Sequence, residues 1–281
     1  MTPARKLPIG AETIAVREAG SAGRPCIVLL HSLGTSAAMW APQLAALSAS
    51  YHVVAIDSRG HGGSSNRGGF SVEGCAEDAV GVIGTLGCKT VHLVGLSMGG
   101  LIATEVASRL KRDASVRCAS LALACAYRTL RGAQSEARLA SARDALSRQG
   151  MPEFAAAYMK DTATDGMPAP MRERLQRDIA GMKPGDYLQT LECILFHDAG
   201  PALSELGDMP ALVISGALDK RVSKEALQEL LDAVPHARRV CLMSAGHLAS
   251  AEDDIDFNAA LLGFWESCAP DAAEGAGSAK A

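Results

Sequence analysis

The sequence lacks three features that would each assign it to a particular class of protein. It has no excess of positive charge, since 27 Lys and Arg face 31 Asp and Glu and the formal net charge is -4, so we expect no nucleic-acid partner. It has no run of about 18 consecutive apolar residues, the length that a membrane-spanning helix needs. No apolar stretch follows the N-terminal basic residues as it does in a secretory signal. We therefore expect no membrane association and a cytoplasmic location.

The eight cysteines and seven histidines show no motif for a disulfide framework, a metal or a cofactor. No Cys-x-x-Cys pair is present, and most cysteines lie in apolar runs, as reduced thiols of a protein core do. The histidines are too scattered along the chain to indicate a metal site. The glycine pattern of a dinucleotide-binding turn is also missing. We therefore predict an activity that uses neither a metal nor a cofactor.

Short apolar runs are present and predict the fold class. With 48% hydrophobic residues the chain can bury a sizeable core. The runs 26–31, 52–57 and 91–96 are continuously apolar and end in Gly- or Ser-containing turns, which is typical of buried parallel strands. Helix-length segments alternate with them, so we predict an α/β fold built on a mostly parallel, doubly wound β-sheet. Further strands are expected over residues 116–124, 211–215 and 238–243, with an antiparallel edge hairpin around 12–18.

The alternation breaks in the middle of the chain. Between residues 125 and 206, helical periodicity continues without a strand, and we interpret this segment as an inserted helical lid. Residues 1–124 and 207–269 would then form the core. Residues 270–281 are rich in Ala and Gly and are expected to be a disordered tail.

The strongest functional motif is Gly95-Leu-Ser97-Met-Gly99. It follows the apolar run 91–96 and precedes a helical segment, the strand-turn-helix context that a Gly-x-Ser-x-Gly nucleophile motif requires. The two glycines leave room where strand and helix pack, so the turn projects Ser97 above the sheet. We predict that Ser97 is a nucleophile. The alternative is that Ser97 only caps the helix that follows.

A serine nucleophile needs a base, and the base should follow the serine in this topology. Of the later histidines, His197 lies in the predicted lid, and His236 precedes the last predicted strand and so lies at its wrong end. His247 follows that strand directly. We predict that His247 is the base.

The base needs an acid that orients its ring. Asp219 follows the strand predicted over 211–215, at the edge of the sheet where later loops converge. We predict that Asp219 is this acid. Alternatively, Asp219 caps the helix that begins near Ser223, or pairs with Lys220 or Arg221.

Backbone N–H groups are expected to stabilise the oxyanion of a tetrahedral intermediate. One comes from the residue after the nucleophile and one from the turn after an earlier strand, which here are Met98 and Leu33. Gly34 lets this turn bend so that the Leu33 amide faces the site. His31, in the same turn, is interpreted as a buried structural residue.

The motifs together resemble the α/β-hydrolase family over roughly residues 14–264. Within it, segments 30–40, 95–100, 245–248 and 257–260 are similar to 3-oxoadipate enol-lactonases. The resemblance implies a cofactor-free, two-step hydrolysis of an enol-lactone in aromatic catabolism, with the lid shaping the pocket. The matching motifs are His31-Ser-Leu-Gly34, Asp57-Ser-Arg-Gly-His-Gly-Gly-Ser64, the turn at Ser97, Gly216-Ala-Leu-Asp219 and Gly246-His247.

The sequence identifies substrate-binding residues less clearly than it identifies Ser97, His247 and Asp219. The enol-lactonases carry a tryptophan in the lid, whereas the only tryptophans here are Trp40 and Trp265. We select Trp40, together with Tyr127, Arg128 and Arg131, as candidate substrate-binding residues. The last three begin the lid and are placed to meet a substrate carboxylate, with packing or solvent exposure as the alternative.

The sequence therefore predicts a serine hydrolase that cleaves a small carboxylic ester or lactone, such as 3-oxoadipate enol-lactone, through an acyl-enzyme. Three alternatives stay open: a carbon-carbon bond hydrolase, a perhydrolase, and a hydrolase-fold ligand sensor. Haloalkane dehalogenase and epoxide hydrolase chemistry is disfavoured because those relatives carry aspartate where this chain has Ser97. The oligomeric state is not predicted.

Overall fold

One β-sheet organises the part of the chain that the computed structural model describes, residues 3–113, 115–130 and 132–268. Its strands are β1 (Arg5–Ile9), β2 (Glu12–Ala19), β3 (Cys26–Leu30), β4 (His52–Ile56), β5 (Thr90–Leu96), β6 (Arg117–Ala124), β7 (Ala211–Gly216) and β8 (Arg238–Leu242). Their order across the sheet is β1-β2-β4-β3-β5-β6-β7-β8. The β1–β2 and β2–β4 pairs are antiparallel, and every other neighbouring pair is parallel.

Helices cover both faces of the sheet. They are α1 (Ala41–Leu47), α2 (Val72–Thr85), α3 (Met98–Arg112), α4 (Ala133–Thr162), α5 (Ala169–Ala180), α6 (Pro184–Phe196), α7 (Gly200–Leu206), α8 (Lys224–Ala233), α9 (Ala249–Glu252) and α10 (Asp254–Cys268), with a 3₁₀ helix at Ala37–Trp40. Helices α2 and α3 pack together on one face, and α1 and α10 pack together on the other. The predicted α/β fold with a doubly wound, mostly parallel sheet is confirmed.

Burial on both faces explains why the central strands are so uniformly apolar. Every residue of β3 and β4 is buried, as expected for parallel strands beneath two helical layers. Each strand predicted from an apolar run agrees with the observed strand to within one residue at either end. The predicted edge hairpin is formed by β1 and β2.

Four helices, α4 to α7, lie between β6 and β7, in the segment predicted as a lid. Helix α4 is interrupted at Gly150, whose φ of 76° and ψ of 179° break the helical path before Pro152. Helix α7 packs against α3 of the core, and the Lys111 ammonium donates to the Leu206 carbonyl at 2.8 Å. The domain boundaries stay a prediction, and the predicted tail over 270–281 lies outside the described residues. No helix among the described ranges has the length and apolar character needed to cross a membrane.

Strand and helix approach each other very closely at the turn between β5 and α3. A Cβ on Gly95 would lie 2.1 Å from the Gly99 carbonyl oxygen, and a Cβ on Gly99 would lie 2.0 Å from the Leu30 carbonyl oxygen. Both obstacles are backbone atoms, which cannot rotate away as a side chain would. The fold therefore requires glycine at both positions.

We expect Gly99→Ala to destabilise the protein and Gly84→Ala to stabilise it. The first should lower the free energy of unfolding by about 1–3 kcal/mol or more, because α3 must move away from β3. Gly84 lies in α2 with open space around its Cα, so alanine there should raise this free energy by up to about 1 kcal/mol. Urea unfolding of both variants tests the pair. Equal stability of the two would contradict the close-packing argument.

Candidate active site

Ser97 occupies the sharp turn at the C-terminal end of β5. Its φ of 54° and ψ of -114° place a non-glycine residue in a strained conformation. The backbone is held by hydrogen bonds from the Ser97 N–H to the Ala124 carbonyl at 2.9 Å and from the Gly100 N–H to the Ser97 carbonyl at 2.8 Å. The Ser97 side chain does not cap α3. The hydroxyl is therefore available for other partners.

A chain of hydrogen bonds joins Ser97, His247 and Asp219. The Ser97 Oγ lies 2.9 Å from His247 Nε2, and His247 Nδ1 lies 2.9 Å from Asp219 Oδ2. All three side chains are at least nine-tenths buried. The first distance allows the Ser97 hydroxyl to pass its proton to His247, and the second allows Asp219 to orient the His247 ring.

Asp219 is fixed by the turn after β7. Its Oδ1 accepts hydrogen bonds from the Arg221 amide at 2.7 Å and the Val222 amide at 3.2 Å. Burial raises the pKa of Asp219, but His247 and the two amides outweigh this effect and hold the pKa below its ordinary value. Helix α8 is capped by Ser223 and not by Asp219. Asp219 therefore stays ionised against the His247 ring.

The loop that carries His247 is held by a residue that the sequence did not single out. The Glu252 carboxylate accepts from the Gly246 amide at 2.5 Å and from the Leu248 amide at 3.3 Å, on either side of the histidine. It also accepts from the Thr164 hydroxyl at 2.9 Å. In sequence, Glu252 precedes two aspartates and so has the pattern of an exposed acidic helix start. Its burial and its three bonds make it a positioning residue for His247.

The two predicted oxyanion donors are the next residue in the chain after Ser97 and a residue of the same cavity. Met98 is the first residue of α3, where backbone N–H groups have no partner within the helix. Leu33 lies in the turn after β3 and lines the same cavity as Ser97, and Gly34 follows it with a φ of 78°. Their catalytic role stays a prediction.

His31 holds the turn that carries Leu33. Its Nε2 accepts from the Ser58 amide at 2.9 Å, and its Nδ1 donates to the Ser32 carbonyl at 2.8 Å. Burial lowers the pKa of His31 to about 4, so the ring is neutral and can accept and donate at once. His31 is a structural residue of this turn, as the sequence indicated.

The cavity above Ser97 is nearly closed by residues of the helical segment. Its free volume is about 10 Å³, roughly the space of one water molecule. A second cavity of about 260 Å³ adjoins it on the outer side, and Arg138, Tyr158, Leu191 and Arg221 line both. These four residues therefore form the boundary between Ser97 and the outer cavity.

The predicted substrate-binding residues lie in different environments, and of the three that the structure describes only one lines the cavity above Ser97. Tyr127 lines the inner cavity, and its hydroxyl donates to the Ile194 carbonyl at 3.4 Å. Trp40 does not reach the cavity and the prediction for it is wrong, because the ring is fully buried and packs against Phe257 at 6.0 Å between centroids. Arg128 is likewise not a lining residue and instead pairs with Asp198 at 3.2 Å. Arg131 lies outside the described residues.

The positive charges at the cavity come from Arg138 and Arg221, which the sequence did not single out for this role. Arg221 is fixed, because its Nε donates to the Thr162 hydroxyl at 2.8 Å and its guanidinium lies 4.5 Å from the centroid of the Tyr158 ring. Arg138 forms no hydrogen bond or ion pair with other described residues. In the sequence, only the position of Arg221 two residues after Asp219 indicates that it lies near the site.

One set of potential metal ligands lies within the candidate active site. The Cys125 thiol approaches Asp219 and His247, with the ligand atoms of all three within 4.8 Å of one another. Burial raises the pKa of the Cys125 thiol well above its ordinary value, and metals bind the thiolate. The site therefore favours the hydrogen-bonded arrangement, and the expectation of a cofactor-free activity stays a prediction.

Comparison with known proteins identifies the family. Residues 27–260 match the model of the Alpha/beta hydrolase family. The chain belongs to this family. The family resemblance inferred from the sequence motifs is thereby confirmed, and the protein is a hydrolase.

Several relatives of this α/β hydrolase are similar over most of its length. It is 29% identical to 3-oxoadipate enol-lactonase 2 of Acinetobacter baylyi, over 89% of this chain and 93% of that protein. It is 31% identical to RutD of Stutzerimonas stutzeri, which has the provisional name of a carbamate hydrolase, over 85% of this chain and 90% of that protein. The crystal structure of the enol-lactonase from Burkholderia xenovorans LB400 superposes with a TM-score of 0.79 at 29% identity, covering 93% of this chain and all of that one.

We expect Glu252→Ala to lower kcat by on the order of tenfold to a hundredfold, because a shift of the His247 loop by a fraction of an ångström misaligns the imidazole. KM should change little. Glu252→Gln, which retains one acceptor oxygen, should lose less activity, and Thr164→Val should lose least because both amide bonds survive. Steady-state hydrolysis of an aryl ester measures the series. A fall in thermal stability with unchanged kcat would assign Glu252 a structural role only.

Proposed function

We propose that this protein is a serine hydrolase that cleaves a small carboxylic ester or lactone through an acyl-enzyme. The observation that carries the proposal is the buried hydrogen-bonded chain from Ser97 through His247 to Asp219. The strained conformation of Ser97 and its place at the start of α3 support the same role.

In the first half-reaction, the Ser97 hydroxyl attacks the carbonyl carbon while His247 Nε2 accepts its proton. The carbonyl oxygen becomes an oxyanion, which the Leu33 and Met98 amides stabilise. Asp219 holds the ring in the tautomer that receives the proton at Nε2, and its negative charge stabilises the imidazolium. The intermediate collapses when the carbon-oxygen bond to the leaving group breaks and His247 protonates that oxygen.

In the second half-reaction, His247 removes a proton from water, which attacks the acyl-serine. Collapse returns the proton from His247 to Ser97 and releases the carboxylic acid. With a lactone as substrate, the leaving oxygen remains part of the acyl chain, so the whole product stays on Ser97 until water attacks. With an enol-lactone, the released enol becomes the ketone.

The charge at the cavity favours a substrate that carries a carboxylate. Arg138 and Arg221 line the space next to Ser97, and Arg138 has no ionic partner among the described residues. The lactone of 3-oxoadipate, a dicarboxylate, retains one free carboxylate. The similarity to 3-oxoadipate enol-lactonases and the two arginines support this substrate.

Carbamate hydrolysis is the second candidate function. The similarity to RutD of Stutzerimonas stutzeri favours it, and attack by Ser97 on a carbamate carbonyl would follow the same two half-reactions. A substrate panel of enol-lactones, carbamates, aryl esters and vinylogous diketones separates these candidates from carbon-carbon hydrolysis. A perhydrolase would be revealed by peracid formation with hydrogen peroxide, and a ligand sensor by single-turnover kinetics.

We expect Ser97→Ala to lower kcat by on the order of 10⁴-fold or more, because no other hydroxyl replaces the attacking oxygen. A fluorophosphonate probe should label the unaltered protein at Ser97 and leave the variant unlabelled. Ser32→Ala, which removes a buried hydroxyl near Leu33, serves as the control and should keep the label. Labelling of Ser97→Ala to the same extent would reject Ser97 as the nucleophile.

We expect Arg138→Met to lower kcat/KM for the carboxylate-bearing enol-lactone by about 10- to 100-fold, because the variant loses one charge-assisted hydrogen bond to the substrate carboxylate. The same lactone with a primary amide in place of the carboxylate should react at a similar rate with both proteins. Arg143→Met is the matched control, because Arg143 lies on the same helix but pairs with Glu192 outside the cavity. Equal losses on both lactones would show that Arg138 does not recognise the carboxylate.

A further inference from the structure

Three side chains able to bind a metal meet at the edge of the sheet opposite to Ser97. Cys26 begins β3, His52 begins β4, and Cys88 lies between α2 and β5. The two sulfur atoms and a ring nitrogen of His52 all lie within 4.8 Å of one another. All three residues are buried, and Cys88 is the most exposed of them at 8%.

Strand register brings these residues together although they are far apart in the sequence. Cys26 lies directly beside His52 in the β3–β4 pair and beside Val91 in the β3–β5 pair. Cys88 precedes Val91 by three residues and so reaches the same corner. Because parallel strands all start at one edge, three separate segments contribute one ligand each. The wide spacing of cysteines and histidines along the sequence therefore does not exclude a metal site formed by these three residues.

Glu18 completes the arrangement from the neighbouring strand. Its Oε2 lies 3.1 Å from His52 Nε2, and its Oε1 lies 3.3 Å from an Arg5 guanidinium nitrogen. A carboxylate bonded to one ring nitrogen fixes the orientation of an imidazole, and this pairing accompanies most histidines that bind metals. Two thiols and an imidazole form a soft ligand set, which selects thiophilic cations over Mg²⁺ or Ca²⁺.

We propose that Cys26, His52 and Cys88 form a binding site for one Zn²⁺ ion, with Glu18 orienting His52. Binding releases the two thiol protons to solvent and forms two Zn–S bonds and one Zn–N bond, leaving a fourth position for water. The ion joins the N-terminal ends of β3 and β4 to the segment before β5. Its distance from Ser97, at the other edge of the sheet, separates this site from the proposed hydrolysis.

Zinc titration of the reduced, metal-stripped protein tests the proposal. Competition with a chromophoric chelator should give one Zn²⁺ per chain for the unaltered protein. Cys26→Ser and Cys88→Ser should each weaken binding by about 100-fold or more, and Glu18→Gln by about 10- to 100-fold. Cys241→Ser, which removes an exposed thiol elsewhere, should bind as the unaltered protein does.

Cys125→Ser separates this site from the second group of potential ligands around His247. Binding that persists in Cys125→Ser and disappears in Cys88→Ser supports the proposal. Binding lost in Cys125→Ser and retained in Cys88→Ser overturns it. A stoichiometry near zero for the unaltered protein, or a Cys26–Cys88 disulfide in protein purified without reductant and free of zinc, also overturns it.

A spectroscopic readout covers the case in which a serine variant fails to fold. Co²⁺ added to the unaltered protein should produce thiolate-to-cobalt charge-transfer bands in the near ultraviolet. Glu18→Gln leaves all three ligands in place and should show the same bands at higher Co²⁺ concentration. Absence of these bands from both folded proteins contradicts thiolate ligation at this corner.

Discussion

The hydrogen bond between His247 Nε2 and Ser97 Oγ joins residues 150 positions apart, and the rest of the site is arranged to hold it. Parallel strands end at one edge of the sheet, so β5, β7 and β8 deliver Ser97, Asp219 and His247 to the same place. Each side chain is buried, where an unsatisfied polar group is costly. The cost is met by pairing, since Asp219 is bonded to two amides and His247 to a partner on each ring nitrogen.

The features that could be predicted from sequence are those with a local or periodic signal. Apolar runs gave the central strands, because burial on both faces leaves little choice of residue. The Gly95 and Gly99 pair marked the turn at Ser97, because close backbone packing excludes any other residue there. Order along the chain then favoured Asp219 and His247, and the hydrogen-bond distances are consistent with that choice.

Other features depend on packing that a sequence pattern does not encode. Trp40 is one of only two tryptophans in the sequence, and nothing in its sequence context shows that it fills the core against Phe257. Arg138 and Tyr158 face the cavity because of how α4 packs against α6, a matter of helix orientation. Glu252 belongs to an acidic run, which is typical of an exposed helix start. Only its hydrogen bonds to the His247 loop indicate its positioning role. Cys26, His52 and Cys88 meet only through strand register.

The break in α4 at Gly150 divides the part of α4 that covers the cavity into two pieces. Arg138 belongs to the segment before the break and Tyr158 to the segment after it. A single residue with helix-breaking geometry connects them, so a replacement in one piece need not disturb the axis of the other. The two side chains that α4 contributes to the cavity, Arg138 and Tyr158, are therefore carried by helical segments whose directions are set separately.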